Sequence, residues 1–190
     1  KEKYGVEVNI VQPRIPFRET IKGKIESVEY KHKKQSGGHG QFGHVFLRLA
    51  PQKRGTGFEF ANEVVGGAIP TKFIPAVEKG VVEALVKGPL AHYPVVDVKV
   101  TVHYGSYHDV DSSEMAFKIA GAQAFKKGFL DARPVLLEPI YEIEVTVPEA
   151  HMGDVMGDIS SRRGKISGMD NNGKMQVIKA TVPLSELHDY

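Results

Sequence analysis

The sequence contains no cysteine. This absence excludes disulfide bonds, thiolate nucleophiles and any zinc or iron–sulfur site with cysteine ligands. Long apolar runs are also lacking, so no segment is predicted to span a membrane. We find neither an apolar signal region nor an Arg-rich transit segment. These absences predict a cytoplasmic protein in a reducing compartment.

Net charge is scarce as well, but it is unevenly distributed. Lys and Arg number 25 and Asp and Glu 23, which gives a formal net charge of +2. The first 60 residues hold 12 basic and 6 acidic side chains, whereas the remainder holds 13 and 17. Lys31, Lys33 and Lys34 lie directly before a glycine cluster. Most charge runs are solvated faces, yet a basic stretch beside a glycine-rich tip also suits a protrusion that contacts phosphates.

The apolar pattern mixes strands and helices and predicts an α+β fold. Residues 18–31 and 44–49 have strand patterns, and the glycine-rich residues 35–43 between them predict a hairpin with a long tip. A helix begins at Pro75, and a strand over 96–102 leads into a polar loop over 105–109.

A second helix is predicted to follow that loop. Asp111 is the expected N-cap, with Glu114 three residues later, and Gly128 is the expected end. The apolar positions at helical spacing are Met115, Ile119, Ala122, Phe125 and Phe129.

The pattern restarts after Arg133-Pro134, which we interpret as a domain boundary. A strand, a helix and two further strands then follow, in the order β-α-β-β. This order is two elements short of the split β-α-β ferredoxin-like unit, so we expect an incomplete domain that lacks the last helix and strand.

One glycine pattern matches two nucleotide-binding motifs. Gly38, Gly40, Gly43 and Val45 fit both the dinucleotide fingerprint and the kinase glycine loop. A dinucleotide site needs a helix after the glycines, whereas a strand is predicted here. The other kinase motifs and the Walker A motif are absent. The sequence therefore predicts no nucleotide site in this chain.

The eight histidines raise the alternatives of a metal site or a stand-alone enzyme. No His-Glu-x-x-His pair accompanies His32, His39 or His44, so we predict no metal site. A nucleophile elbow is absent too, and no catalytic residue is predicted. His108 has the best case for function, because its loop suits hydrogen bonding to a nucleic-acid groove. A polar loop that merely satisfies its own backbone is the alternative.

Several blocks of sequence resemble the fourth and fifth domains of bacterial translation elongation factor G. The fourth-domain blocks are 35–45 (QSGGHGQFGHV), 66–70 (GGAIP), 73–77 (FIPAV), 88–90 (GPL), 93–97 (YPVVD) and 105–118 (GSYHDVDSSEMAFK). The fifth-domain blocks are 137–140 (LEPI), 153–159 (GDVMGDI), 162–164 (RRG) and 182–186 (VPLSE). The resemblance implies three parts: the tail of a preceding domain over 1–12, domain IV over 13–134, and a partial domain V over 135–190. It also implies a ribosomal protein S5 domain 2-like fold for domain IV and a ferredoxin-like fold for domain V.

The resemblance further implies a monomeric part of a ribosomal translocase. GTP and Mg²⁺ would bind a domain outside this chain, so the chain itself would be neither an enzyme nor a cofactor-binding protein. The tip of domain IV would enter the decoding centre of the small subunit and contact the tRNA–mRNA duplex. The last domain would contact large-subunit RNA near the factor-binding region. The expected RNA-binding residues are Ser36, Gly37, Gly38, His39, Gly40, Gln41, Phe42 and Gly43 in one tip loop, and Gly105, Ser106, Tyr107, His108 and Asp109 in the other, flanked by Lys31, Lys33 and Lys34.

Two tip residues depart from the family pattern Gly-Arg-Gly-Gln-Tyr-Gly. This chain has His39 in place of the arginine and Phe42 in place of the tyrosine. A mostly neutral imidazole in place of a permanent charge removes one phosphate partner. The alternative function is therefore that of an elongation factor G-like paralogue in ribosome recycling or stress. Ribosome-protection proteins share the architecture, but their pattern does not lead us to expect the Ser-Tyr-His-Asp-Val-Asp loop.

Overall fold

The computed structural model describes residues 14–36 and 38–188, without the side chains of Ser36 and His39. The fold is divided into two compact units. One comprises Phe17–Leu137, and the other comprises the chain from Glu138 onward together with the described residues before Phe17. This division falls after the predicted boundary at Arg133-Pro134, because residues 134–137 pair with a strand of the first unit. Each unit is described by itself.

The first unit is built on a four-stranded sheet with two helices. Its elements are β1 (Arg18–Ile21), β2 (Ile25–Ser36), β3 (His39–Pro51), β4 (Phe58–Asn62), α1 (Ile74–Val86), β5 (Val98–Ser106), α2 (Glu114–Asp131) and β6 (Pro134–Leu137). The sheet order is β2-β3-β5-β4, in which β4 runs parallel to β5 and the other neighbours are antiparallel. β1 and β6 form a separate antiparallel pair. Both helices pack on each other, and α2 packs on β2 and β3.

The core of this unit lies between the sheet and α2. Alternate residues of β3, Val45, Leu47 and Leu49, are fully buried, as are Phe117 and Phe125 of α2. A period of two on the strand and a helical period on α2 therefore place both apolar faces in one core. Glycines on the facing sides of α1 and α2 let the two helices approach closely.

The second helix differs from its prediction at both ends. Ser113, not Asp111, is the N-cap, and its hydroxyl accepts from the amide of Ala116 across 3.1 Å. The helix does not end at Gly128 but continues to Asp131, because Gly128 packs against Val28 and Leu49 with no room for a side chain. The predicted apolar face is confirmed at Phe125 and Phe129, which are fully buried, but not at Met115. Met115 is 57% exposed, since the small residues of the sequence, such as Ala116, turn toward the core instead.

The second unit has a three-stranded antiparallel sheet and one helix. Its elements are β7 (Ile140–Pro148), α3 (Met152–Ser161), β8 (Lys165–Asn172) and β9 (Met175–Pro183), with strand order β7-β9-β8. Because β9 is antiparallel to both neighbours, β7 and β8 run parallel and α3 is the crossover between them. Ile159 of α3 packs with Ile178 and Val182 of β9. The predicted α+β class and β-α-β-β order are confirmed.

Across the described ranges 14–36 and 38–188, no helix is both long enough and apolar enough to cross a membrane.

Candidate functional site: the hairpin tip and the His108 loop

The connection between β2 and β3 is much shorter than predicted. The two strands pair as far as Ser36 and His39, so only residues 37 and 38 join them. The predicted long tip loop is therefore wrong: Gly40, Gln41, Phe42 and Gly43 lie in β3. Glycine lacks a strand propensity but does not prevent strand pairing when the partner strand supplies a continuous ladder. Gly37 and the side chains of Ser36 and His39 lie outside the described residues.

Two of the hairpin glycines allow a close approach of β3 to the first turn of α2 and to the segment that leads into it. A Cβ on Gly43 would lie 2.6 Å from the carbonyl oxygen of Ala116, which no ordinary contact permits. A Cβ on Gly40 would lie 2.5 Å from the carboxylate of Asp111. These glycines therefore serve packing, in addition to the conformational freedom that suggested them as tip residues.

The second predicted loop is also shorter than expected. Gly105 and Ser106 are in β5, where they pair with Val45 and His44 of β3. The loop thus starts at Tyr107. A side chain on Gly105 would meet the carbonyl oxygen of His44, so strand packing accounts for this glycine.

The structure brings the two predicted loops together at one end of the sheet. The amide of Phe42 donates to the carbonyl oxygen of Asp111 across 2.8 Å. The hydroxyl of Ser112 donates to the carbonyl oxygen of Phe42 across 2.9 Å. We call the β2–β3 turn and residues 107–112 together the tip. These two hydrogen bonds hold both of its parts in one place.

The ring of His108 is held by the backbone of its own loop. Its Nδ1 accepts from the amides of Val110, at 3.3 Å, and Asp111, at 3.2 Å. An imidazole nitrogen that accepts carries no proton, so the neutral ring has its proton on Nε2. The His108 side chain is 55% exposed, and Phe42 lies beside it with ring centres 6.3 Å apart. The loop therefore offers a positioned N–H donor.

Two other predicted residues are engaged internally. The amide oxygen of Gln41 lies 2.8 Å from Nε2 of the buried His32. The hydroxyl of Ser106 lies 2.7 Å from Nδ1 of the buried His44, whose Nε2 is 2.7 Å from Glu29. Both side chains thus support the strands behind the tip.

The three predicted lysines are exposed on β2. Lys31 and Lys33 lie on one face of the strand and Lys34 on the other, because side chains alternate along a strand. Within residues 14–36 and 38–188, none of the three forms an ion pair. Their positive charges are therefore available to an external partner.

A row of rings runs back from Phe42, and its other three members were not predicted as part of the site. Phe42, His44, Phe46 and Tyr104 follow one another with ring centres 6.5, 4.9 and 5.4 Å apart. The first three alternate along β3, which is a signal that the sequence does carry.

His103 adjoins this row at Phe46, with ring centres 6.2 Å apart. Burial, together with the positive charge of Arg48, lowers the pKa of His103, against a smaller effect of Glu63. The ring is therefore held toward its neutral form.

Asp97 is a buried carboxylate directly before β5, at the end of that strand opposite the tip. It accepts from the amides of Gly55 and Gly57 at 3.1 and 2.9 Å and pairs with Arg54 at 3.1 Å. Burial by itself raises the pKa of Asp97, but the three donors together outweigh it, so the pKa lies below its ordinary value. Its contacts are those of a structural carboxylate that holds a turn.

Among the residues that the structure describes, no group of three or more metal-ligating side chains lies close together. The carboxylate of Asp111 lies 3.6 Å from Nδ1 of His108, an ion pair only when that ring is protonated.

Comparisons with known proteins match both units. Residues 13–133 match the family model of elongation factor G, domain IV, and residues 135–190 match that of the elongation factor G C-terminus. The chain is also similar to the crystal structure of ttk003000868 from Thermus thermophilus, with a TM-score of 0.86 and 49% sequence identity. That similarity covers 98% of this chain and 28% of the other, so this chain spans less than a third of that protein's length. The chain therefore belongs to the elongation factor G family and carries its domain IV and C-terminal regions.

Proposed function

We propose that this chain is the ribosome-contacting part of a factor that drives translocation in protein synthesis. Its tip would enter the decoding centre of the small subunit and contact the tRNA–mRNA duplex. GTP hydrolysis, with Mg²⁺, would take place on a nucleotide-binding domain outside this chain. The carrying observation is the joined tip. Phe42 and Ser112 hold the exposed His108 beside a hairpin whose three lysines form no ion pair within the described residues.

The chemistry of the tip suits contact with RNA by shape. The Nε2–H of His108 and the ammonium groups of Lys31, Lys33 and Lys34 are all donors, whereas phosphates and 2′-hydroxyls on an RNA duplex are acceptors. Such contacts fix position and carry no base readout, which a factor that acts on every codon requires. The hydrogen bonds to Nδ1 hold the ring in place before RNA arrives, so little ordering entropy is lost on contact.

For the second unit, we propose contact with large-subunit RNA near the factor-binding region. The full protein would act as a monomer on the ribosome. These two statements rest on the family membership of the chain.

The direct experiment is His108→Ala in the full-length factor, followed by rapid kinetics of translocation. We expect slower translocation with GTP hydrolysis largely intact, because the nucleotide site lies elsewhere. His108→Gln should restore part of the rate, since a glutamine side chain supplies an N–H donor. His151→Ala, an exposed histidine of the second unit, is the matched control. An unchanged translocation rate in His108→Ala would exclude the proposed role.

The chain alone should show no GTP affinity in an equilibrium titration. Measurable GTP binding by residues 1–190 would contradict the proposed division of labour between this chain and a separate nucleotide-binding domain.

A paralogue that acts in ribosome recycling or stress is the second candidate, favoured by His39 and Phe42. Phe42 has no hydroxyl, and the aromatic neighbours of its ring in the described chain are His44 and His108. The double variant His39→Arg/Phe42→Tyr restores the family pattern at the tip. If the native factor translocates slowly and this variant is much faster, the second candidate is supported. Equal, rapid translocation by both favours the translocase.

A further inference from the structure

A cleft of about 580 Å³ lies in the first unit, between α1 and the start of α2. It is separate from the tip residues described above, and neither the sequence patterns nor the family resemblance pointed to it. The lining includes three lysines and three apolar residues: Lys72, Lys79, Lys118, Pro75, Ala76 and Met115.

The cleft has an excess of positive charge. Lys72 and Lys79 are exposed and form no ion pair within the described residues, although the Lys72 ammonium lies 5.0 Å from the ring centre of Phe73. Lys118 pairs with Glu83 across 2.8 Å. The one carboxylate among the lining residues is Glu114. Two lysines are therefore left to attract an anion.

The apolar part of the cleft is unusual for a helix end. Met115 is 57% exposed at the start of α2, where it faces the cleft instead of the core. An exposed, flexible thioether beside ammonium groups suits a ligand that has both charged and less polar surfaces. A ribose-phosphate chain has both.

The cleft is continuous with the tip through the backbone. Ser113 lines the cleft and caps α2, and the preceding residue, Ser112, is the one that binds Phe42. The cleft and the tip therefore adjoin each other along the chain, within the same compact unit.

We propose that this cleft binds the phosphate backbone of an RNA strand, as a second RNA contact beside the tip. The inference rests on the proposed function, in which the tip of the same unit contacts RNA in the decoding centre. Ammonium groups of lysine act as point charges toward phosphate, so Lys72 and Lys79 provide affinity without base specificity. An acidic protein segment is the competing occupant and is an arm of the test.

The first test measures how binding of a labelled short RNA duplex of mixed sequence depends on salt. The variant is Lys72→Gln/Lys79→Gln, and the control is Lys126→Gln/Lys127→Gln, two exposed lysines near the other end of α2. Each lysine that contacts a phosphate contributes about one to the slope of log K against log salt, so the variant should lower the slope by about two. The control should leave it unchanged. Equal effects of both pairs would overturn the proposal.

A second test locates the RNA by NMR of ¹³C-methyl methionine in the full chain. Met115 is the sole methionine between residues 17 and 137, and the other four serve as internal references. The duplex should shift the Met115 methyl signal, and Lys72→Gln/Lys79→Gln should abolish that shift while its spectrum remains that of a folded protein. An unshifted Met115 signal, or an equal shift with poly-glutamate, would overturn the RNA assignment.

A third variant separates this inference from the proposed function of the tip. Lys31→Gln/Lys33→Gln/Lys34→Gln removes positive charge on β2 beside the tip and should leave the Met115 shift in place. If the tip variant weakens duplex binding while the cleft variant has no effect, the cleft proposal fails and the tip function stands. If only the cleft variant weakens duplex binding, the cleft proposal stands and the proposed RNA contact of the tip fails.

Removing negative charge from the cleft should strengthen its binding of RNA. Glu114→Gln removes the carboxylate from the lining, so RNA affinity should rise by about two- to fivefold at low salt, as for loss of one nearby repulsion. No gain in affinity would contradict an electrostatic cleft.

Discussion

The hydroxyl of Ser112 donates to the carbonyl oxygen of Phe42 and accepts from the amide of His108, each across 2.9 Å. One side chain thus links the hairpin to the histidine loop. A hydroxyl can donate one hydrogen bond while accepting another, and alanine can do neither. The position of the His108 ring relative to the hairpin depends on this residue.

Ser112→Ala should therefore loosen the tip. We expect a loss of about 1 kcal/mol in the free energy of unfolding, because the partly buried bond to Phe42 and the exposed bond from the His108 amide are both lost. Hydrogen exchange at the His108 amide should become faster, which NMR can measure. Ser112→Thr keeps the hydroxyl and is the control. Unaltered exchange at His108 in the alanine variant would show that the link does not order the loop.

Gly43→Ala should destabilise the first unit. Its Cβ would contact the backbone at Ala116, so α2 or β3 must move, at a cost of about 1–3 kcal/mol in urea denaturation. Gly168→Ala, on β8, is the control because no heavy atom lies within 4 Å of its Cβ position. A Gly43→Ala protein as stable as the control would contradict the close approach of β3 and α2.

Asp97→Asn should reduce the stability of the protein at neutral pH. It should also remove part of the stability loss that the native protein shows in acid. Asp97 has a φ of +58°, which asparagine tolerates, so the change tests charge and hydrogen bonding more than backbone strain. We expect a loss of about 1–3 kcal/mol at pH 7.

The pH dependence follows from the direction of the Asp97 shift. A lowered pKa in the folded chain gives stability that is present above the unfolded pKa near 4 and lost as the pH falls through the folded value. Urea denaturation from pH 6 to acid should therefore show a smaller difference between the native and Asp97→Asn proteins at low pH. A constant difference would refute the assigned shift.

Protonation of His103 should destabilise the folded chain. Burial and Arg48 lower its pKa, so the unfolded chain takes up this proton at a higher pH than the folded chain. Its contribution to stability is full above the ordinary value near 6.5 and falls as the pH decreases through the lowered folded pKa. His103→Gln should lose less stability than the native protein between pH 7 and pH 5, measured by urea denaturation. Parallel losses in the two proteins would exclude a lowered pKa.

Much of the fold was predictable because periodicity reports burial directly. The run at 141–147 alternates cleanly and forms β7, and Pro75 lies in the first turn of α1 as predicted. β4 escaped prediction, since its five residues FEFAN lack a clean alternation and pair with β5 over a long separation. The sequence also could not show that Glu19 is fully buried. Its carboxylate accepts from the amides of Leu90, Ala91 and Tyr93, which lie about 70 residues away.

The residues of the candidate site could be predicted from the sequence, but their arrangement in space could not. Glycine content indicated a loop, whereas the ladder from Lys31 to Ser36 keeps the glycines of β3 in strand pairing. Family resemblance, not spacing, placed the His108 loop beside the hairpin. The basic cleft gives no local signal at all, because Lys72, Lys79 and Lys118 meet only after α1 and α2 have packed.

The length of the β2–β3 hairpin has an evolutionary consequence. Its strands have 12 and 13 residues, and β3 runs without a break from the outer Phe42 to the buried Val45. Inserting or deleting one residue in a strand near this level would exchange the two faces of that strand between the change and the turn. In β2, such a change would turn Lys33 inward and His32 outward. Among homologues, changes in the length of either arm should therefore occur in steps of two, while the turn itself tolerates single insertions.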